Sequence, residues 1–135
     1  MADAVGQARS RFSHALELLA PSLRWDGSDG GQGRAAAVWF VRPKGPRMLL
    51  EHLANSERSA VLIAAAWCVL GLERALVLID HPEHGLHPEQ HAAFFDGLSA
   101  LMSKGQLIAA TTSPAILRMT SRRQLLVLGA AGGSP

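Results

Sequence analysis

The feature that most constrains this chain is an apolar run that ends abruptly in an acid. Residues 75–79 are five aliphatic residues, Ala-Leu-Val-Leu-Ile, and Asp80 follows them directly. The run is too short for a helix, so it predicts a buried β-strand with Asp80 at its carboxyl end. In open α/β sheets ligands bind at that edge. A carboxylate there suits a hydrated Mg²⁺ ion beside a phosphate. We therefore predict that Asp80 binds Mg²⁺ through water when a nucleotide is present.

The strand runs into a loop, residues 80–88, that reads Asp-His-Pro-Glu-His-Gly-Leu-His-Pro. Two further segments lie on either side of it in the sequence. Residues 53–58 read Leu-Ala-Asn-Ser-Glu-Arg, and residues 108–114 read Ile-Ala-Ala-Thr-Thr-Ser-Pro. In their order along the chain and in their spacing, the three segments resemble the signature, Walker B and switch motifs of ABC-type ATPase heads. The branch in question is that of chromosome-maintenance, DNA-repair and phage-defence ATPases. The resemblance covers residues 35–128 and leaves the N-terminal helix aside.

The resemblance implies a role for each motif. Asp80 matches the acid that organises Mg²⁺. The free backbone amides at the start of the signature helix, at Asn55, Ser56 and Glu57, would face the γ-phosphate of a nucleotide held by the opposite subunit. Plain capping of a core helix explains Asn55 and Ser56 equally well without any ligand.

Several positions depart from the family pattern. The signature has Ala54 where the family has Ser, and Ser56 where it has Gly. The family glutamate that polarises the attacking water is replaced by His81, whose imidazole can accept a proton near neutral pH. The switch histidine is replaced by Thr112, which is too short for the same contact with the γ-phosphate. The resemblance therefore gives His81 and Thr112 catalytic positions without the family's catalytic groups.

A phosphate-binding loop is the largest missing part. The nearest text, residues 28–35, has Ser28 for the first glycine and Arg34 for the lysine, and it lacks the hydroxyl that holds the metal. A hairpin turn explains this glycine-rich stretch better. We therefore predict a degenerate half of an ATPase head that binds ATP and Mg²⁺ only with a complementing chain and hydrolyses poorly. The expected partner is a P-loop-containing chain or a second copy. The alternative is a non-enzymatic scaffold that keeps the fold.

The pattern of elements predicts a single α/β domain. It comprises a lead-in over residues 5–52, an ATPase-like lobe over residues 53–128 and a flexible tail over residues 129–135. The lead-in holds an amphipathic helix (5–20) and a β-hairpin, whose second strand is predicted at 35–41, while 47–53 is ambiguous between strand and helix. The lobe alternates helix and strand, which predicts a partial P-loop-like layered fold with a mostly parallel sheet. Its elements are a deeply packed helix (57–70), a strand ending at 80, a helix (88–103), a strand (106–110), a short helix (113–119) and a last strand (124–128).

Other classes of function find little support in the sequence. His81, His84, His87 and His91, with Glu83, invite a zinc site, but a histidine cluster without cysteine or a spaced partner group does not favour one. Arg118, Arg122 and Arg123 make a small basic cluster that favours a solvated surface over nucleic-acid binding. The longest apolar stretch is too short to span a membrane, no leader is evident, and the single cysteine, Cys68, fits a reducing compartment. We therefore expect a cytoplasmic location.

Overall fold

The N-terminal part folds as the predicted helix and hairpin. The computed structural model describes residues 2–30 and 36–129. Helix α1 (Ala2–Leu19) leads into strand β1 (Arg24–Asp29), which pairs antiparallel with β2 (Ala37–Val41). A third strand, β3 (Arg47–Leu49), pairs antiparallel with β2 and is followed by a 3-10 turn, Leu50–His52. The ambiguous segment is thus strand first and turn second.

The second part carries the parallel strands that the sequence predicts. Helix α2 (Asn55–Leu70) leads to β4 (Leu76–Asp80), and helix α3 (His91–Leu101) connects β4 to β5 (Gln106–Ala110). Strands β4 and β5 are parallel, with Leu78 opposite Ile108 and Asp80 opposite Ala110. Helix α4 (Pro114–Met119) follows β5. The fold is therefore a mixed α/β arrangement with one antiparallel and one parallel sheet.

The main core lies where α1 meets α2, α3 and the antiparallel sheet. Leu16, Phe40, Ala64 and Leu98 are fully buried there, and Trp67 donates its indole N–H to the carbonyl oxygen of Leu101 at 2.9 Å. The inward-facing residues of the parallel sheet, Val77, Ile79 and Leu107, are half-buried against the same core. Strand β4 is thereby fixed on one of its two faces.

The parallel sheet is less buried than the apolar run predicts. Exposure alternates along both strands, and Leu78 keeps 70 % of its surface exposed. Together with Leu76 and Ile108 it forms an exposed apolar patch, called here the outer face. The prediction of a strand buried on both faces was wrong, because in the described residues only the inner face is covered.

Helix α2 also differs from its prediction. It buries one face, Ala60, Val61, Ala64 and Trp67, and lies mainly against α1, while Leu62, Val69 and Leu70 are exposed. The expectation of deep burial all round was therefore wrong. Gly71 ends the helix as predicted, in the left-handed conformation with a φ of 65°. The helix predicted at 88–103 begins with a 3-10 turn, Pro88–Gln90, and becomes α3 at His91.

The predicted last strand is absent from the described part of the chain. A 3-10 turn, Arg122–Gln124, follows α4, and residues 125–129, called here the C-terminal segment, join neither sheet. Leu126, Val127 and Leu128 are among its exposed residues. The strand prediction was wrong because an apolar run forms a strand only where a neighbouring edge can pair with it. Most of the predicted tail (130–135) and residues 31–35, including Arg34 of the rejected phosphate loop, lie outside the described residues.

Membrane insertion by a helix finds no support in the described ranges. No helix within residues 2–30 and 36–129 combines the length and apolar character needed to cross a bilayer.

Candidate functional site

Asp80 lies where the carboxyl ends of β4 and β5 meet. The backbone N–H of His81 donates to the carbonyl oxygen of Ala110 at 2.9 Å, so the ladder continues one residue past Asp80. His81 then takes a φ of 48°, a conformation that non-glycine residues rarely adopt and that turns the chain sharply. The Asp80 side chain is 81 % exposed at this edge. The structure thus presents the predicted magnesium-binding carboxylate to solvent.

His81 lies between two acids. Its Nε2 is 3.8 Å from Asp80 Oδ1, and its Nδ1 is 3.6 Å from Glu83 Oε1. Both distances are beyond a direct hydrogen bond, so the ring lies close to both acids without being tightly paired to either. The three side chains form one local cluster at the strand end.

Glu83 joins the loop after β4 to the switch segment. Its Oε1 accepts from the hydroxyl of Thr111 at 2.8 Å and from the backbone N–H of Thr112 at 3.2 Å. Only 10 % of the side chain is exposed, and Oε2 is buried without a hydrogen-bond partner. Burial alone would raise the pKa of Glu83. The hydrogen bonds from its own backbone, Thr111 and Thr112, together with the nearby His81 ring, outweigh that effect and hold the pKa of Glu83 below its usual value.

A second link to the switch segment runs through His91. Its Nε2 lies 3.2 Å from the carbonyl oxygen of Leu86, and its Nδ1 lies 2.8 Å from Ser113 Oγ. A carbonyl oxygen only accepts, so Nε2 carries a proton, and the Ser113 hydroxyl can donate to Nδ1. Ser113 Oγ also accepts from the N–H of Ile116 and so caps α4. His91, which the sequence offered only as one of four clustered histidines, instead fixes α3, the loop and α4 together.

The start of α2 is capped differently from the prediction. Asn55 and Ser56 lie inside the helix, and Ala54 is the N-cap residue. The Glu57 carboxylate accepts from the backbone N–H of Ala54 at 3.0 Å, as the acid of a capping box does. Asn55 instead accepts a hydrogen bond from Arg58. The capping explanation for Asn55 and Ser56 therefore fails, while Glu57 does favour the first turn.

Arg42 was missed by the sequence analysis. It forms a bidentate pair with Glu57, from Nε to Oε1 at 2.8 Å and from Nη2 to Oε2 at 2.6 Å. Hydrogen bonding from Arg42 is the main reason that the pKa of Glu57 lies below its usual value; burial opposes the shift, and the Ala54 amide supports it. No local pattern could have revealed Arg42, because it follows β2 and meets Glu57 only through the tertiary fold.

The segments predicted as signature and Walker B motifs meet beside a cleft. A Cβ placed on Gly85 would lie 3.8 Å from the Cβ of Asn55, so the loop after β4 reaches the start of α2. The adjacent cleft has a volume of about 410 Å³. Its lining includes Arg42, Ser56, Glu57, Leu86, Gln90 and Phe94. The fold therefore links the two predicted motifs through one loop, and Glu83 links that loop to Thr112.

The histidines do not converge on a common centre. Within residues 2–30 and 36–129, no group of three or more His, Cys, Asp or Glu side chains is arranged to hold a metal ion. His84 and His87 are exposed, whereas both ring nitrogens of His91 contact protein atoms.

Comparisons with known proteins agree with this architecture. Residues 7–118 match the profile of a family described as "AAA domain, putative AbiEii toxin, Type IV TA system". A search of curated proteins found no match.

Two solved structures show the same fold at low sequence identity. One comes from a structural study of ATP-driven dimerisation and DNA-stimulated activation of SMC ATPases. Its TM-score is 0.64 at 14 % identity, and the match covers 82 % of this chain and 70 % of that one. The other is the Smc head domain of Pyrococcus furiosus, with an extended coiled coil, bound to the C-terminal domain of ScpA. Its TM-score is 0.65 at 12 % identity, and the match covers 84 % of this chain but only 30 % of that one.

Proposed function

Because this chain belongs to the family described as AAA domain, putative AbiEii toxin, Type IV TA system, we propose that it is half of an ABC-type ATPase head. In this proposal it contributes the signature helix, the Walker B acid and the switch segment to a nucleotide site. A P-loop-containing chain completes that site. The observation that carries the proposal is Asp80, an 81 % exposed carboxylate at the carboxyl end of a parallel strand, linked by one loop to the start of α2.

The residues present fit one part of a magnesium–nucleotide site. Asp80 is accessible and negatively charged, which suits a Mg²⁺ ion that keeps most of its water ligands. The first amides of α2 have no partner within the helix, and the positive end of its dipole favours an anion. These 135 residues contain no Walker A text, so in this proposal the main phosphate cradle is supplied from outside them.

Mg²⁺ would supply the positive charge that neutralises the phosphate oxygens. The chain's own residues would contribute little to the chemistry of hydrolysis. His81 stands where the family has its glutamate, and its ring nitrogens lie 3.8 Å from Asp80 Oδ1 and 3.6 Å from Glu83 Oε1. Thr112 is tied to Glu83 through its backbone N–H and has only a short side chain to offer. Since loss of one catalytic group commonly costs orders of magnitude in rate, we expect hydrolysis to be impaired even in a complete site.

The proposed partner would supply the phosphate cradle. The SMC ATPases to which this fold is similar are described as dimerising in an ATP-driven manner, and one Smc head is bound to ScpA. We propose that this chain likewise acts inside an assembly, as a partner or regulatory subunit. Its contribution there is to present the start of α2 to a nucleotide bound by the other subunit.

A calorimetric titration with Mg·ATP tests the proposal. The chain alone should bind weakly. Co-purified with a P-loop lobe, if the neighbouring reading frame encodes one, it should bind ATP in a Mg²⁺-dependent manner. The Asp80→Asn variant should weaken Mg·ATP binding by about tenfold or more, because it removes the charge that attracts the ion.

Asp96→Asn is the matched control, since Asp96 is an exposed acid on α3 away from this edge. It should leave binding unchanged. If Asp80→Asn and Asp96→Asn bind Mg·ATP alike in the complex, the nucleotide role is wrong. A complex that forms without any ATP binding would instead identify the chain as a non-enzymatic scaffold.

A further inference from the structure

The parallel sheet has an open edge. Among the described residues β5 pairs with β4 alone, so its other edge presents unpaired backbone groups. Natural edge strands are usually protected by charges, proline or a bulge. Strand β5 reads Gln-Leu-Ile-Ala-Ala and carries neither a charge nor a proline. This edge is chemically ready to accept another strand.

The C-terminal segment is an apolar run that pairs with no strand among the described residues. Residues 125–128 read Leu-Leu-Val-Leu, a continuous apolar run typical of a strand covered on both faces. Val127 is nevertheless 87 % exposed, and the segment belongs to no ladder. Residues 125–129 match the five residues of β5 in length. The open edge of β5 and the C-terminal segment could therefore form a strand pair, and in the described structure neither is paired with the other.

Within the described residues of one molecule, the open edge and the C-terminal segment do not pair. The segment leaves α4 through a 3-10 turn, in which the N–H of Gln124 donates to Ser121 O at 2.9 Å and the Ser121 hydroxyl donates to Gln124 Oε1 at 2.7 Å. The N–H of Thr120 also donates to Ile116 O, which fixes the end of α4. The segment therefore begins at a hydrogen-bonded turn and joins neither sheet among the described residues.

We propose that a second copy of this chain covers the open edge, and that two copies exchange their C-terminal segments. Each segment pairs with β5 of the other copy and extends the partner's parallel sheet to three strands. Exchange of identical elements is a low-cost route to a closed two-fold dimer. The formal net charge of +2 is too small to oppose association. This inference rests on the sheet and does not depend on the proposed nucleotide role.

Light scattering on the full chain tests the dimer. The wild-type chain should shift from monomer to dimer as its concentration rises. Val127→Lys should raise the dimer dissociation constant by at least about tenfold, because it places an unpaired charge in the new sheet. Val69→Lys is the control: Val69 is 81 % exposed on α2 and should not change the dissociation constant. A chain that stays monomeric at every concentration, or a dimer unaffected by Val127→Lys, overturns the proposal.

Disulfide trapping tests the strand pairing itself. In a Cys68→Ser background, a chain with Ile108→Cys is mixed with a chain carrying either Leu126→Cys or Val127→Cys. Adjacent residues of a strand point to opposite faces, so only one of the two mixtures should form the mixed disulfide efficiently. Equal trapping at both positions, or trapping at neither, contradicts a strand exchange.

Discussion

Glu57 shows how one side chain can serve local and tertiary structure at once. Its carboxylate closes the first turn of α2 at the Ala54 amide and also binds Arg42, which follows β2. The start of α2 is therefore tied to the antiparallel sheet by a charged, bidentate contact. The same ion pair lowers the pKa of Glu57, which links this contact to the pH dependence of stability.

We predict that Glu57→Gln lowers the free energy of unfolding at pH 7 by about 1 kcal/mol, since Arg42 is partly exposed. The folded pKa of Glu57 lies below its unfolded value, about 4.3. Its contribution is therefore complete above that value and is lost as the pH falls through the folded pKa. Urea unfolding at pH 7 and at lower pH should show a smaller acid loss in Glu57→Gln than in the wild type. Glu89→Gln, at an exposed acid, should behave like the wild type, and equal behaviour of the two variants would refute the prediction.

The packing of α3 on α1 depends on one glycine. A Cβ on Gly97 would lie far inside contact distance of the Leu18 carbonyl oxygen. The two helices therefore approach so closely that backbone touches backbone. Gly105 plays the same part between the end of α3 and the start of β4, beside the Ala75 carbonyl oxygen. These close approaches fix where β4 and β5 begin, and hence the position of Asp80 at the end of β4.

We expect Gly97→Ala to destabilise the chain by about 1–3 kcal/mol through overpacking. Gly6→Ala is the matched control, because Gly6 lies within α1 and a Cβ there would meet nothing within 4 Å. Alanine at position 6 should stabilise by up to about 1 kcal/mol through helix propensity. Chemical denaturation measures both. A Gly97→Ala variant as stable as Gly6→Ala would show that α1 and α3 can separate without cost.

Sequence reasoning succeeded where a local pattern sets the structure. The strand 106–110 and the glycine stop at Gly71 follow from hydrophobic runs and turn chemistry, and both are observed. It failed where the outcome depends on a neighbour. The outer face of β4, the unpaired run at 125–128 and the Arg42–Glu57 pair all depend on which surfaces meet in three dimensions. For the candidate site, Asp80 could be placed from sequence, but the attachment of Glu83 to Thr111 and Thr112 could not.

The described part of the molecule combines a buried core around α1 with an exposed apolar surface, the outer face formed by Leu76, Leu78 and Ile108. A parallel sheet normally has helices on both faces, and here the described residues supply only one such layer. A contiguous exposed apolar patch usually marks a contact surface or an aggregation liability.

We predict that Leu78→Lys in the Val127→Lys background reduces binding of the apolar dye ANS and slows precipitation. The free energy of unfolding should change by less than about 0.5 kcal/mol, because Leu78 is already exposed. Leu62→Lys in the same background is the control, as Leu62 is an exposed leucine outside this patch. Equal loss of dye binding in both variants would mean that the outer face is not a distinct surface.

The placement of the three tryptophans has a practical consequence for spectroscopy. Trp25 and Trp39 lie in the antiparallel sheet, and Trp67 is buried in α2 with its indole bonded to Leu101. The chain has no tyrosine, so its intrinsic emission reports on these places alone. Loosening of β4 and β5 would affect this emission only through Trp67, since Val77, Ile79 and Leu107 pack against the core that contains it. A tryptophan introduced near the carboxyl end of β4, or a fluorescent label there, is needed to detect structural changes at Asp80 by fluorescence.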